Sequence, residues 1–378
     1  MPTRLPTHLP TRLPTLCAAA LVLSCAGALR AQDHQPGAAP ADLKVIMPGE
    51  RVDLRYRWRA GEVLHYRIVQ QTDSSLKDLP GAGELRVAQT QTTHTTMTVR
   101  ALNLDGSAII DWSFDSIRAQ VRRNDDPLAS FDSRASDTAA APSDPHADDP
   151  HADDPHASDP HADDPMTHAM RAMVGRTITL TIAPDGRILD MRGVDALRAA
   201  VSEPLAGTEA RTMRPDLRAF LSDDALRDQF EQAFRLMPAE PVAAGESWER
   251  SESRYFPMAG TVDARTRFRY EGAGPLDGVR AAKLSAVSTL SLATMGQHDR
   301  RTVVGKPTLA GAARGGTTAW LDLATGRLLR LESVMAAPME VARHTPSGDT
   351  ATIRVESISR LTMTLAEASA RAEAPSAE

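Results

Sequence analysis

From Val262 to Glu271 the chain reads VDARTRFRYE, and its residues fall into two sets. Val262, Ala264, Thr266, Phe268 and Tyr270 alternate with Asp263, Arg265, Arg267, Arg269 and Glu271. Successive side chains of a strand point to opposite faces, so this period of two demands one buried face and one wet face. The pattern recurs along the chain. In VDLRYRW, Val52, Leu54, Tyr56 and Trp58 alternate with Asp53, Arg55 and Arg57. Leu64, Tyr66 and Ile68 repeat it, as do Ile110, Trp112 and Phe114 around Asp111 and Ser113. Ile178, Leu180 and Ile182 alternate with threonines, and late in the chain come Ile353 and Val355, then Leu361, Met363 and Leu365. The Thr/Gln-rich stretch VAQTQTTHTTMTV suits a further extended strand. Sheets with one solvated face are typically antiparallel, so the fold class expected is α+β, predominantly antiparallel β.

Turn signals separate these strands in an order that occurs twice. RAGEVLHYR around Gly61 resembles AAGESWERS around Gly245, and NLDGSAIIDW resembles PLDGVRAAKL. GRTITLTIAPDGRIL, from Gly175, aligns without gaps on GGTTAWLDLATGRLL, from Gly315. Three matches in one order predict an internal duplication. Copy one spans 51–193 and copy two 239–365, with a helical connection at 194–238. Within the connection Ser222 is a natural N-cap, and Asp223 and Asp224 complement the helix dipole. Leu226, Phe230, Ala233, Phe234 and Met237 form an apolar stripe ended by Pro238, and a shorter helix is expected near Val194–Val201. The expected architecture is a duplicated, curved, half-barrel-like sheet packed on this central helix.

The first residues carry positive charge without acid, and LCAAALVLSCAGAL from Leu16 is as long as a signal-peptide core and too short to span a bilayer. Residues 1–31 are therefore expected to be a signal peptide, followed by a Pro/Ala-rich tether over 32–50. The product would be periplasmic or extracellular. Cys17 and Cys25 both lie in this run, so the remainder must be stable without disulfides. Cys25, in VLSC, is alternatively a candidate lipidation site, which would anchor the protein without a spanning helix. No later segment is apolar enough to be transmembrane. Among 43 basic residues only Lys44, Lys77, Lys283 and Lys306 are lysines. No dense basic patch interleaved with aromatics appears, so no nucleic-acid partner is expected.

DPHADDPHADDPHASDPHADDP, at 144–165, places His146, His151, His156 and His161 five residues apart. Imidazoles and carboxylates are good ligands for Zn, Cu or Ni. A spacing of five fits neither a helix face nor a strand face, and proline holds each preceding Asp extended. Ordering such a chain around a metal costs roughly 1–2 kcal/mol of backbone entropy per residue. The reading is a solvated, disordered insert over 124–165, with weak metal buffering as its alternative. His168 follows and is expected near the next strand, in local packing. A disordered tail is expected over 366–378.

Elsewhere the chemistry is sparse. Gly245-Glu246-Ser247-Trp248 lacks the nucleophile elbow, and GAARGGTTAW has neither a phosphate-loop lysine nor dinucleotide spacing. Neither catalytic residues nor a cofactor are assigned. Pro241, Val242, Gly245 and Trp248 form a Pro-Val-x-x-Gly-x-x-Trp element after a helix, preceded by a Gly-x-Thr strand and a Pro-Asp-Gly turn. In this the chain resembles a family of exported bacterial proteins catalogued as a domain of unknown function. The resemblance covers most of 51–365 outside the insert, and it implies location and architecture rather than chemistry. The order of strands and helix is also similar to lipid-carrier half-barrels of the bacterial envelope. The functional expectation is a non-enzymatic binding or carrier module for an apolar or amphipathic, lipid-like ligand or an envelope partner. Arg265, Arg267 and Arg269 on the wet face are candidates to meet an anionic head group. An unrecognised hydrolase is the remaining alternative.

Overall fold

A computed structural model describes residues 50–78, 83–134, 165–202, 222–256, 260–291, 308–344 and 350–370. Copy one contributes β2 (Glu62–Lys77), β3 (Leu85–Leu102), β4 (Ala108–Arg123), β5 (Asp126–Asp132), β6 (Thr177–Ile182) and β7 (Ile188–Arg192). Copy two contributes β9 (Ser247–Phe256), β10 (Gly260–Leu276), β11 (Val279–Ser291), β12 (Thr308–Asp322), β13 (Leu328–His344) and β14 (Thr350–Ala370). Two short strands, β1 (Arg51–Val52) and β8 (Val242–Ala243), pair with each other. Three helices complete the described part: α1 (Pro165–Met173), α2 (Val194–Ser202) and α3 (Asp223–Phe234).

The main sheet has 12 strands in the order β7-β6-β4-β3-β2-β14-β13-β12-β11-β10-β9, with β5 paired to β4 off this path. Every pairing is antiparallel. Each copy is a meander, and the two meanders lie head to tail in one sheet. β14 has no counterpart in copy one. It is the seam, pairing with β13 on one side and β2 on the other.

The repeat is visible in the backbone as well as in the order. Gly61 N–H donates to Val99 O at 2.8 Å, and Gly245 N–H donates to Tyr270 O at 2.7 Å. A bulge follows each acceptor, between Val99 and Ala101 and between Tyr270 and Gly272. A bulge bends its strand and sharpens the local twist, so both copies curl at the same place. The hairpins β6–β7 and β12–β13 turn at Gly186 (φ 86°) and Gly326 (φ 67°). Each of these glycines lies tight against the lead-in to the other copy. A Cβ on Gly186 would meet Phe234 O at 2.0 Å, and one on Gly326 would meet Arg55 O at 2.3 Å. The buried carboxylate of Glu62, at the start of β2, pairs with Arg327 beside the second hairpin.

Burial follows the predicted alternation. Ala264, Thr266, Phe268 and Tyr270 are buried while Asp263, Arg265, Arg267, Arg269 and Glu271 are exposed. Inward residues of the sheet, among them Leu64, Met97, Ile110, Trp112, Ile178 and Leu180, form one core with Met170 and Met173 of α1, Leu197 and Val201 of α2, and Leu226, Phe230 and Phe234 of α3. The sheet thus packs on a layer of three helices, of which the expected central helix is one.

Several expectations need correction. Residues 52–58 do not form a strand ladder beyond Val52. The segment keeps alternating burial, with Leu54 and Tyr56 inside, but its backbone is held between two turns, through Tyr56 N–H to Pro184 O at 3.0 Å and against Gly326. The expected disorder over 124–165 fails at its start. There β5 extends β4 and seats Phe131 in the core at 5% exposure, because one aromatic in a polar stretch is enough to anchor a short edge strand. Pro165 opens α1, a helix the sequence reading omitted, and His168 belongs to it. The strand pairing of β14 continues through Ala370, five residues into the expected tail, because Glu62–His65 of β2 need partners. Asp111, expected on the wet face, is buried at 8%, where Arg100 and Thr179 satisfy its carboxylate. Residues 1–49, including Cys25, lie outside the described residues, as do His146, His151, His156 and His161.

Candidate functional site

Rows of paired residues cross the inner face of the sheet, and their character changes along the strands. Leu64, Met97 and Trp112 share one row. Farther along, Ile68, Met363 and Leu331 share another, still apolar. In the next row Gln70 and Gln91 sit beside Leu361, Ser333, Thr317, Ala286 and Phe268. One row beyond, Ser288, Thr266 and Arg250 are neighbours. The inner face therefore grades from hydrocarbon to a band of hydroxyls and amides.

A cleft lies between this face and α3. Its walls come from β2, β3, β4, β9, β10, β11, β12, β13 and β14, so the sheet must curl around the helix for all of them to reach one space. The cleft is a slot between helix and sheet, continuous with solvent, with a cavity volume of about 120 Å³. Trp112, Phe114, Ile117, Met173, Phe230 and Phe268 are among its apolar lining. Trp112 meets Phe230 edge-on at 5.4 Å between ring centroids and Phe234 at 5.6 Å, a favoured aromatic geometry that fixes the helix against the sheet.

The polar band pairs largely with itself. Thr266 Oγ1 and Ser288 Oγ are 2.8 Å apart, and Thr317 Oγ1 and Ser333 Oγ are 3.2 Å apart. Gln91 Nε2 donates to Thr93 Oγ1 at 3.1 Å, while Gln91 Oε1 is buried with no hydrogen-bond partner among the described residues. Gln70, Thr93, Thr266 and Ser333 are all buried.

Four charged side chains line the same cleft near the end of α3. Arg235 pairs with Glu231 at 3.2 Å and Glu252 at 3.6 Å. Arg250 donates to the carbonyls of Arg235 and Met237, in the segment just past the end of α3, and lies 5.8 Å from the Phe268 ring centroid. Burial and the neighbouring Arg235 pull the pKa of Arg250 below the usual guanidinium value.

Chemically the arrangement is suited to holding a molecule. Among the described residues the lining contains no histidine, cysteine or lysine, and the carboxylates of Glu231 and Glu252 pair with Arg235. Among the described residues no group of His, Cys, Asp and Glu could hold a metal ion, and no helix is long and apolar enough to cross a membrane. Arg265, Arg267 and Arg269 are exposed on the opposite face of β10, where Arg265 pairs with Glu249 at 2.6 Å and Arg269 with Glu271 at 3.6 Å. They do not reach the cleft. Trp248, in β9, stacks on Phe268 at 5.5 Å between ring centroids and belongs to packing. The reading missed Gln70, Gln91, Thr93, Thr266, Thr317 and Ser333. Its only available signal was a polar residue at an inward position, as Thr266 is between Ala264 and Phe268.

Fold and cleft define a class: a curled, open antiparallel sheet with a helical layer on its inner face and an apolar slot between them. Residues 151–272, a span that includes the Pro-Val-x-x-Gly-x-x-Trp element, match a family of unknown function, DUF6263. No curated protein matches the chain. Among solved structures, one concerned with lipid–protein interactions in lipovitellin aligns at a TM-score of 0.44 and 12% identity, over 84% of this chain and 26% of that one. This chain thus spans about a quarter of the lipovitellin chain. DynF, from the dynemicin biosynthesis pathway of Micromonospora chersina, aligns at a TM-score of 0.17 and 8% identity, over 89% and 94% of the two chains. A DUF1329 family protein from Desulfovibrio piger aligns at 0.13 and 9%, over 83% and 88%. At these scores none of the three bears on function.

Proposed function

We propose that this chain is a binding or carrier module of the bacterial cell envelope that takes one amphipathic molecule into the slot between α3 and the sheet. The observation that supports it is the graded lining, hydrocarbon at one end and hydroxyls and amides at the other, within a single cleft. Small-molecule sites are mostly apolar concavities with a few placed polar groups, and this cleft has that composition. Burying an alkyl chain there is favourable by roughly 0.8 kcal/mol per methylene. The sequence of residues 1–31 supports export of the carrier to the envelope.

Two measurements test the reading. Organic extraction of the protein purified without detergent, followed by mass spectrometry, is expected to release a stoichiometric amphiphile. An apolar fluorescent probe is expected to titrate the emptied protein saturably, and Ala286→Phe, which places a ring in the slot, to weaken that binding at least tenfold by the overpacking it imposes. Clean extracts together with no saturable probe binding would sink the carrier reading.

A further inference from the structure

The face of the sheet opposite the cleft has a pattern of its own. One outward row runs Arg267, Val287, Gly316, Val334 and Arg360 across the neighbouring strands β10 to β14. Its centre is apolar and its two ends are cationic. Val287 is 63% exposed, and Ala336 and Ile358 extend the apolar centre into the adjacent row. Farther along β12, Trp320 is half-buried between its register neighbours Lys283 and Arg330. Their charged groups lie 6.0 Å and 5.7 Å from its ring centroid.

The charges on this face do not cancel. Arg265, Arg269, Arg330 and Arg360 pair with Glu249, Glu271, Glu332 and Asp73 in turn. Arg267, Lys283 and Arg314 are exposed and have no ion pair among the described residues. Glu249 stands opposite Arg267 in register, yet its carboxylate goes to Arg265. The chain as a whole carries a formal charge of −6, so a basic excess here runs against its composition.

Each of these features suits a lipid surface. Indole rings settle at the boundary between head groups and hydrocarbon, where one part of the ring is dry and another wet. Arginine and lysine lay their stems along apolar surface and keep the charge in water, where an anionic leaflet attracts it. A soluble polyanion would use the cations and leave the valines and Trp320 without a role.

We infer that the outer face of β10–β14 docks on an anionic lipid surface. Arg267, Lys283 and Arg314 meet the phosphate groups, and Val287, Val334 and Trp320 lie at the edge of the hydrocarbon. The slot is across the sheet, so the inference does not depend on what the slot holds.

The test sediments the full chain with sucrose-loaded vesicles of phosphatidylcholine, either alone or mixed with phosphatidylglycerol. Binding to the anionic vesicles is expected to be at least tenfold tighter and to weaken as salt rises, since each cation beside a charged leaflet contributes about fivefold. The triple variant Arg267→Ser, Lys283→Ser, Arg314→Ser is expected to lose at least tenfold of that binding and to keep the parent's thermal midpoint. Val287→Asp is expected to weaken binding severalfold. Residues 1–31 are common to parent and variants, so the apolar run there contributes equally to each. Brominated lipid is expected to quench a part of the tryptophan fluorescence that Trp320→Phe removes. Equal binding to neutral and anionic vesicles, or a triple variant that binds as the parent does, overturns the inference. Capture by soluble dextran sulfate as tight as by vesicles, with no quenching of Trp320, makes the partner a soluble polyanion and overturns it too. None of these outcomes bears on the apolar-probe titration that tests the slot.

Discussion

At Gly186 the backbone has φ 86°, and an added Cβ would lie 2.0 Å from the Phe234 carbonyl oxygen. At Gly278 φ is 81°, but nothing lies within 4 Å of the position a Cβ would take. The pair separates backbone strain from close approach. Gly278→Ala is expected to cost about 1 kcal/mol, for the left-handed conformation alone. Gly186→Ala should cost about 3 kcal/mol, because strain is joined by displacement of the end of α3. Urea unfolding midpoints measure both, and equal costs would refute the close contact. His94 provides a second residue-scale expectation. Partial burial, then Arg134 and Arg67, hold its pKa below the ordinary 6.5. The unfolded chain therefore takes up the proton first as pH falls. Stability should be complete above about pH 6.5 and decline as pH drops toward the folded-state pKa, and His94→Gln should flatten that part of a Tm-versus-pH curve. A decline equally steep in the variant would assign it to other groups.

At the scale of elements, most strands could be read from their period of two, because one face of each meets the core and the other meets water. The failures were the segments whose partners lie far away in sequence. Residues 53–58 alternate as a strand does, yet their backbone faces turns that leave no partner strand for most of the segment. Between Val355 and Leu361 the sequence is mostly polar, yet β14 runs through it, and Thr72 and Ser74 of β2 answer with hydroxyls of their own, at 3.3 Å to Ser359 and 3.0 Å to Ser357. β14, at 21 residues, is the element on which the continuous sheet depends. A chain ending at Gly348 would leave β2 and β13, of 16 and 17 residues, as bare edges. Long unpaired edges template association, so this truncation is expected to aggregate or to dimerise in size-exclusion chromatography with light scattering. A soluble monomer with the parent's thermal midpoint would refute the seam.

For the whole molecule, the duplication creates an asymmetry that the cleft uses. α1 packs on β4 of copy one, α3 reaches β7 of copy one and β9 of copy two, and the slot draws its polar band from both copies, Gln91 and Thr93 from one and Thr266, Thr317 and Ser333 from the other. Both copies are needed to complete the polar band. The His/Asp repeat between Arg134 and Pro165 stands apart from this arrangement in sequence. If it is the solvated insert that its composition predicts, deleting 144–164 should change stability by roughly 1 kcal/mol or less, since loop closure depends only weakly on length. Binding of the apolar fluorescent probe should be unchanged. Calorimetry with Zn²⁺, Cu²⁺ and Ni²⁺ on intact and shortened chains completes the comparison, and equal heats remove metal buffering as a role for the repeat.

The amino-acid order alone determined which faces are greasy, where the chain turns, that β predominates, and that one pattern is used twice, because these follow from local periodicity and from turn chemistry within a few residues. Tertiary structure alone decided which strand lies beside which, that β14 joins the two meanders, and that inward threonines, serines and glutamines scattered over six strands converge on one band. Those outcomes depend on pairings between residues as far apart as Gln70 and Leu361, and no local spacing encodes a partner almost three hundred positions away.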